Sequence, residues 1–419
     1  MIKKIKQIWG IKTLRNKIIF TLLMLAFIRL GNNIPTPGVS TDAVESIFSN
    51  FGTDFGMIDA ITGGALQSMA LFALGIVPYI NASIIVQLLT IAIPAIEKAA
   101  KESDGRNKIN KATRYFGILL AFLQAFALTY ALRNQGILIN QSFLTYATAI
   151  SALTAGTAIL IWIGDRITEK GLGNGTSLII FVNILSSLPG NFITLWETTG
   201  TENILKLIVI LAVIILTLAV VVYEQEAERR VSIEYAKKMA GRKTVGGGSS
   251  YIPLKLNISG VLPLIFAVSV VQFPQMVVAA FGLSDGVWAK VANFLSYNNW
   301  SGAIIYVLLI FFFAYFYSTI QFNPLEFSEN LKKSGGVIAG IRPGASTATY
   351  MRNILSRTTF IGALFLAIIA VVPILIENIF HVTLAFAGTS LIIAVGVAIE
   401  MLRQVDAHMI SRNYQGFLK

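Results

Sequence analysis

The chain has 419 residues, is 55% hydrophobic and 13% charged, with a mean hydropathy of +0.71 and a formal charge of +12. The charged share is about half that of a soluble domain, so lipid is the solvent for much of this chain. With no Cys and only His381 and His408, it has no disulfide framework, no thiolate metal site and no HExxH, GxSxG or P-loop pattern, which weighs against an enzyme, a metal or a cofactor.

A membrane crossing needs roughly 20 apolar residues. In chain order, apolar runs near 18–31, 74–93, 113–132, 143–163, 176–189, 204–222, 260–281, 303–322, 358–376 and 384–402 predict ten helical spans. The fifth is short and the first marginal. Ahead of them, Lys alternates with Ile2, Ile5, Ile8 and Trp9, a pattern for an interfacial helix. A cleaved signal peptide fits less well, because Gly31-Asn-Asn-Ile-Pro35 is no small-residue cleavage site. Between the first two spans, Phe55 to Ala70 is small, Gly-interrupted and too short to cross. It reads either as a re-entrant piece beside a cavity or as an ordinary outer loop.

The connections sort onto two sides. The N-terminus, the loops near 94–112, 164–175, 223–259 and 323–357, and the C-terminal tail hold 29 of the 33 Lys and Arg, counting Arg114 with its loop. Only Arg29, Arg133, Lys206 and Lys290 lie elsewhere. By the positive-inside rule both termini are expected in the cytoplasm, which requires an even number of spans. The first outer segment carries Asp42, Glu45, Asp54 and Asp59 and no Lys or Arg. Two sets of five spans would have opposite orientations, the arithmetic of an inverted repeat.

The predicted spans lack central carboxylates; Asp165, Glu224, Glu377 and Glu400 fall at ends. That argues against an ion-coupled secondary transporter for a small solute, the alternative function, and against an intramembrane enzyme. Arg29, near the end of the first span, is expected to snorkel. The polar residues within spans are neutral: Asn81, Ser83 and Gln87 in the second, Gln124 in the third, Asn183 in the fifth. They read as interhelical hydrogen bonds or as a seam that must open.

Three stretches resemble a known family. The second span reads Leu74-Gly-Ile-Val-Pro-Tyr-Ile-Asn-Ala-Ser-Ile-Ile-Val-Gln-Leu-Leu89, and the turn before the fifth reads Ile167-Thr-Glu-Lys-Gly-Leu-Gly-Asn-Gly-Thr-Ser177. The loop after the eighth holds Asn330-Leu-Lys-Lys-Ser-Gly335 and Gly340-Ile-Arg-Pro-Gly344. In this order and on these loops they resemble the SecY family of translocon channel subunits, over about residues 15 to 410.

The resemblance implies an all-α polytopic membrane protein, a clamshell of two inverted five-helix halves, residues 1–202 and 203–419. It implies a bacterial plasma-membrane channel that passes unfolded polypeptides and releases apolar segments sideways into lipid. Its pore ring would be Ile76, Ile80, Ile180 and Ile265, completed by Ser269 and Ile393. A plug would span about 55–70, including Phe55, Ile58, Ile61, Gly63, Gly64 and Leu66. A lateral gate would involve Asn81, Ser83, Gln87, Gln124 and Asn257. Docking of the SecA motor or the ribosome would fall on the basic loops, at Arg342 first, with Lys332, Lys333, Arg242 and Lys243. SecE- and SecG-type small subunits, signal peptides, unfolded precursors and the bilayer are the further implied partners. Positive-inside charge alone also accounts for most of the basic residues.

Overall fold

A computed structural model describes residues 8–40, 44, 62–102, 104–131, 138–140, 142–200, 204–235, 238–240, 243–245, 248–281, 286–296, 299–380 and 389–416. The chain is helical through most of these. Each of the ten expected spans falls on a helix, though several helices run past the apolar stretch that announced them.

Helix α1 (Lys12–Gly31) buries Leu14, Thr21, Leu25 and Ile28, one stripe at helical spacing. At 20 residues it is long enough to span, which the apolar run alone was not. Arg29 is half-buried, and its Nη1 donates to Gly63 O at 3.1 Å. Helix α2 (Val77–Ala92) begins later than expected, with Pro78 in its first turn, where a missing N–H costs nothing. Pro94 opens α3 (Pro94–Lys101), bent from α2 by 106°.

Helices α4 (Gly105–Ala131), α5 (Phe143–Lys170), α6 (Gly175–Leu195) and α7 (Ile204–Glu226) follow. The residues 164–170, expected as loop, continue α5, and α4 starts inside the loop assigned to 94–112. Helix α6 is longer than the short span expected, because the chain stays helical through Pro189. After a strand-bearing segment described below come α8 (Leu262–Phe281), α9 (Val287–Leu295), α10 (Trp300–Gln321), α11 (Pro324–Lys333), α12 (Ala345–Phe380) and α13 (Thr389–Gly416). Residues 345–357, expected as loop, form the first turns of α12. Residues 1–7 and 384–388, parts of the expected interfacial helix and tenth span, lie outside the described residues.

The two large basic loops carry structure that the sequence reading missed. Strand β1 (Glu228–Tyr235) pairs antiparallel with a later strand of the same loop. Between them lies a small hairpin of β2 (Lys238–Ala240) and β3 (Lys243–Val245). The partner strand is β4 (Ser249–Lys255), and β5 (Gly336–Val337) adds on the other side of β1 from the second loop. The order is β4-β1-β5, so the two loops fold as one unit. Val231, Ile233 and Leu254 of the sheet pack on Leu331 of α11, Ile338, and Met351 and Ile354 of α12.

Helix α8 packs against α2, α4 and α10, while α13 packs against α6 and α7. One apolar cluster takes residues from α1, α2, α5, α6, α7, α8, α10, α12 and α13, joining early and late parts of the chain. Among the described residues, six helices are long and apolar enough to cross a membrane, or up to seven spans with the bent pair α2–α3.

Candidate functional site

Five of the expected ring residues belong to one large buried apolar cluster. Ile76 ends the turn segment before α2, Ile80 lies in its first turns, Ile180 is on α6, Ile265 on α8 and Ile393 on α13. All five are buried members of the large central cluster. Ser269, one turn beyond Ile265, is buried and turns its hydroxyl inward, donating to Ile265 O at 2.9 Å. That bond satisfies the hydroxyl on its own helix, so the face it shares with Ile265 stays without a free donor.

Beside the cluster runs a polar seam. On α2, Gln87 Nε2 donates to Ser83 Oγ at 2.9 Å. The Gln87 Oε1 accepts the hydroxyl of Tyr317 from α10. This bond joins helices 230 positions apart in sequence. Tyr317 is buried, with its ring 4.9 Å from that of Phe266 on α8. Sequence reasoning missed Tyr317, because nothing local marks a tyrosine in an aromatic-rich span as a partner for Gln87. Asn81 is half-buried on α2 and Gln124 is buried on α4. Asn257 is not on α2 or α10: it precedes α8, and its Nδ2 donates to Gly260 O at 3.0 Å. It neighbours the buried Glu224 at the end of α7.

The expected plug is described only from Thr62 onward; Phe55, Ile58 and Ile61 lie outside the described residues. Residues 62–76 form turns rather than a crossing helix. Asn32 of α1 donates to Thr62 O at 3.3 Å and to Asn183 Oδ1 of α6 at 3.1 Å. Gly63, with φ at +72°, passes so close to Asn183 that a Cβ would lie 3.0 Å from its Cα. Only glycine fits both the left-handed backbone and the contact. Gly64 follows, and Leu66 is buried with Val39, Met69, Leu74 and Leu153. Backbone bonds from Thr36 N to Met69 O and from Leu71 N to Ile34 O then tie the segment to the residues after α1.

On the basic loops, Arg342 is exposed on a turn fixed from both sides. Thr347 Oγ1 donates to Arg342 O at 2.9 Å, and Ser328 Oγ donates to Gly344 O at 2.6 Å. Lys332 and Lys333 are exposed in the last turn of α11, where cations suit the helix dipole. Lys243 lies on β3, and Arg242 lies outside the described residues.

Against known proteins, the SecY family model matches residues 70–402. A protein translocase subunit SecY of Halalkalibacterium halodurans is 42% identical over 432 residues, covering 100% of both chains. That of Thermus thermophilus is 42% identical over 429 residues, covering 99% of this chain and 98% of its own. Among solved structures, a protein-conducting channel matches with a TM-score of 0.70 at 19% identity, over 95% of this chain and 93% of that one. Sec61 from a canine ribosome–channel complex of the endoplasmic reticulum matches at 0.65 and 19%, with the same coverage. A family model over most of the chain and relatives aligned end to end agree with the fold: the chain belongs to the SecY family.

Proposed function

We propose that Ile76, Ile80, Ile180, Ile265 and Ile393, with Ser269 beside them, line the waist of the channel, and that the α2–α10 seam is its side exit. The chain is a multi-pass membrane protein and a protein-conducting channel, as its family membership and fold establish. The observation that carries the waist is that five isoleucines from α6, α8, α13 and the start of α2 belong to one buried cluster.

A translocating chain presents every side chain in turn, so a lining of specific polar groups would hold some sequences too tightly. Isoleucines offer weak, non-directional contact and can form a dewetted constriction that blocks ions at rest. The seam follows a different arithmetic. One neutral hydrogen bond contributes about 0.5–1.5 kcal/mol net. An apolar segment of about 20 residues gains roughly 6–12 kcal/mol on entering lipid, at about 0.3–0.6 kcal/mol for each strongly apolar residue. The Gln87–Tyr317 bond is therefore too weak to hold such a segment in the pore, while a polar chain gains nothing by leaving sideways.

In this reading the chain crosses the plasma membrane ten times, with residues 1–202 and 203–419 as inverted halves and both termini in the cytoplasm. The charge asymmetry of the sequence supports that orientation. The described part of the plug, Thr62 to Ala70, is held at its start by Asn32 after α1 and lies against Asn183 of α6 at Gly63. Unfolded precursors and their signal peptides are the cargo, and the energy enters from a partner. The sheet that joins the two basic loops, with Arg342 held out on its turn, supports docking of SecA or a ribosome there. The ribosome-bound state of the matched Sec61 structure points the same way. Small subunits of the SecE and SecG type complete the assembly.

Reversing the charge at the docking turn, Arg342→Glu, is expected to abolish motor-driven export while the chain accumulates normally in the membrane. Normal export by this variant would remove the assignment. The waist is tested with a single thiol, since the chain has no Cys. Ile265→Cys is paired with a thiol in the middle of a stalled precursor, in vesicles with SecA, ATP and a mild thiol oxidant. The expected result is an ATP-dependent disulfide. Failure there and at Ile76→Cys and Ile180→Cys would place the cargo path elsewhere.

A further inference from the structure

The Gly171–Gly175 turn takes no part in the waist or the seam, yet two distant helices grip its backbone. Thr21 on α1 uses its hydroxyl twice, donating to Lys17 O at 2.9 Å and accepting the Leu172 amide at 3.0 Å. Gln404 on α13 accepts the Gly173 amide at 2.7 Å through Oε1. Gly173 has φ at +83°, which turns successive amides outward toward these acceptors. Leu172 is buried in a small cluster with Leu14 of α1 and Val405 of α13. On the solvent side, Lys17 Nζ lies 3.4 Å from His408 Nε2, one turn further along α13.

A buried amide left open by a turn must find an acceptor. Here the acceptors come from 151 and 231 positions away rather than from the turn's own neighbours. Breaking this junction would leave the buried Leu172 amide without its acceptor, release the half-buried Gly173 amide and expose Leu172. Breaking the Gln87–Tyr317 bond strands no backbone group. The early and late parts of the chain meet at both places, the first beside α6 and α13, the second where α8 lies between α2, α4 and α10.

We propose that the Gly171–Gly175 turn is a two-sided tie that stays shut while the seam opens, with Thr21 and Gln404 as its positioning residues. This rests on the channel reading above.

The test uses two thiol pairs in the full chain, in membrane vesicles: Leu172→Cys with Val405→Cys at the tie, and Gln87→Cys with Tyr317→Cys at the seam. Each is closed with a short, reducible thiol-to-thiol linker, and motor-driven export is measured before and after reduction. The closed tie is expected to retain at least half of its export. The closed seam is expected to lose tenfold or more and to recover on reduction. A tenfold, reversible loss at the closed tie would overturn the proposal. A closed seam without effect would refute the side exit itself, and with it the need for a fixed partner. In open chains, Gln404→Leu keeps the shape but removes the acceptor, and is expected to lower export about fivefold. It is also expected to reduce linker yield at the tie once precursor engages. Gln404→Glu keeps an acceptor oxygen and restores both. Equal losses in the two variants would overturn the role of Gln404.

Discussion

The proposed waist and the proposed seam share one helix and divide it by chemistry. Ile76, Ile80, Ser83 and Gln87 follow one another at helical spacing, so a single stripe runs from the start of α2 along its length. Its first part lies in the same buried apolar cluster as Ile180, Ile265 and Ile393. Its second part closes against Tyr317 through one hydrogen bond. A channel has to seal in two directions, across the membrane and toward the lipid, and the two seals face different challengers. The waist must resist water and ions without gripping any peptide, which suits bulky apolar groups. The seam must resist polar chains but yield to apolar ones, which suits a bond of small net value.

The contrast breaks most sharply at Ile180, which is almost fully buried. Ile180→Asp puts an unpaired carboxylate in the apolar cluster, at a cost of several kcal/mol. Folded protein recovered from the membrane is expected to fall severalfold, measured by thermal aggregation in detergent. A well-folded variant would mean that water already fills the waist. The effect at the seam is smaller and of another kind. Tyr317→Phe removes the bond and keeps the ring, for about 0.5–1.5 kcal/mol. The fold is expected to hold, while insertion of a marginally apolar segment rises about fivefold, read from a graded series of Leu-substituted test segments. Should Tyr317→Phe instead depress folding as Ile180→Asp does, the seam would be ordinary packing.

The spans were legible because lipid imposes a coarse rule, about 20 apolar residues, and because basic residues fall so unevenly along the chain. Helix ends were not, since α5 and α12 continue over polar residues such as Arg166 and Arg352, which the hydropathy rule counts as loop. The sheet was missed for a related reason. Its buried residues, Val231 and Ile233 on one strand and Leu254 on the other, alternate within a charged loop. The alternation of Val231, Ile233 and Tyr235 was the signal available. The ring isoleucines were nameable only through the family resemblance, because an Ile in a span is equally at home against lipid. Gln87 could be singled out as a polar group in a span, but its partner Tyr317 could not. Long-range pairs of this kind, like Thr21 with Leu172 and Gln404 with Gly173, depend on packing that no local pattern encodes.

The central claim is that waist and seam sort cargo differently. Two stalled precursors settle it, one with its thiol in a polar stretch and one with its thiol in an apolar segment of about 20 residues. Each is presented to channels carrying a single thiol, Ile265→Cys at the waist or Gln87→Cys at the seam. The account predicts that the waist captures both precursors and the seam only the apolar one. Equal capture of both at the seam, or of neither at the waist, would contradict it.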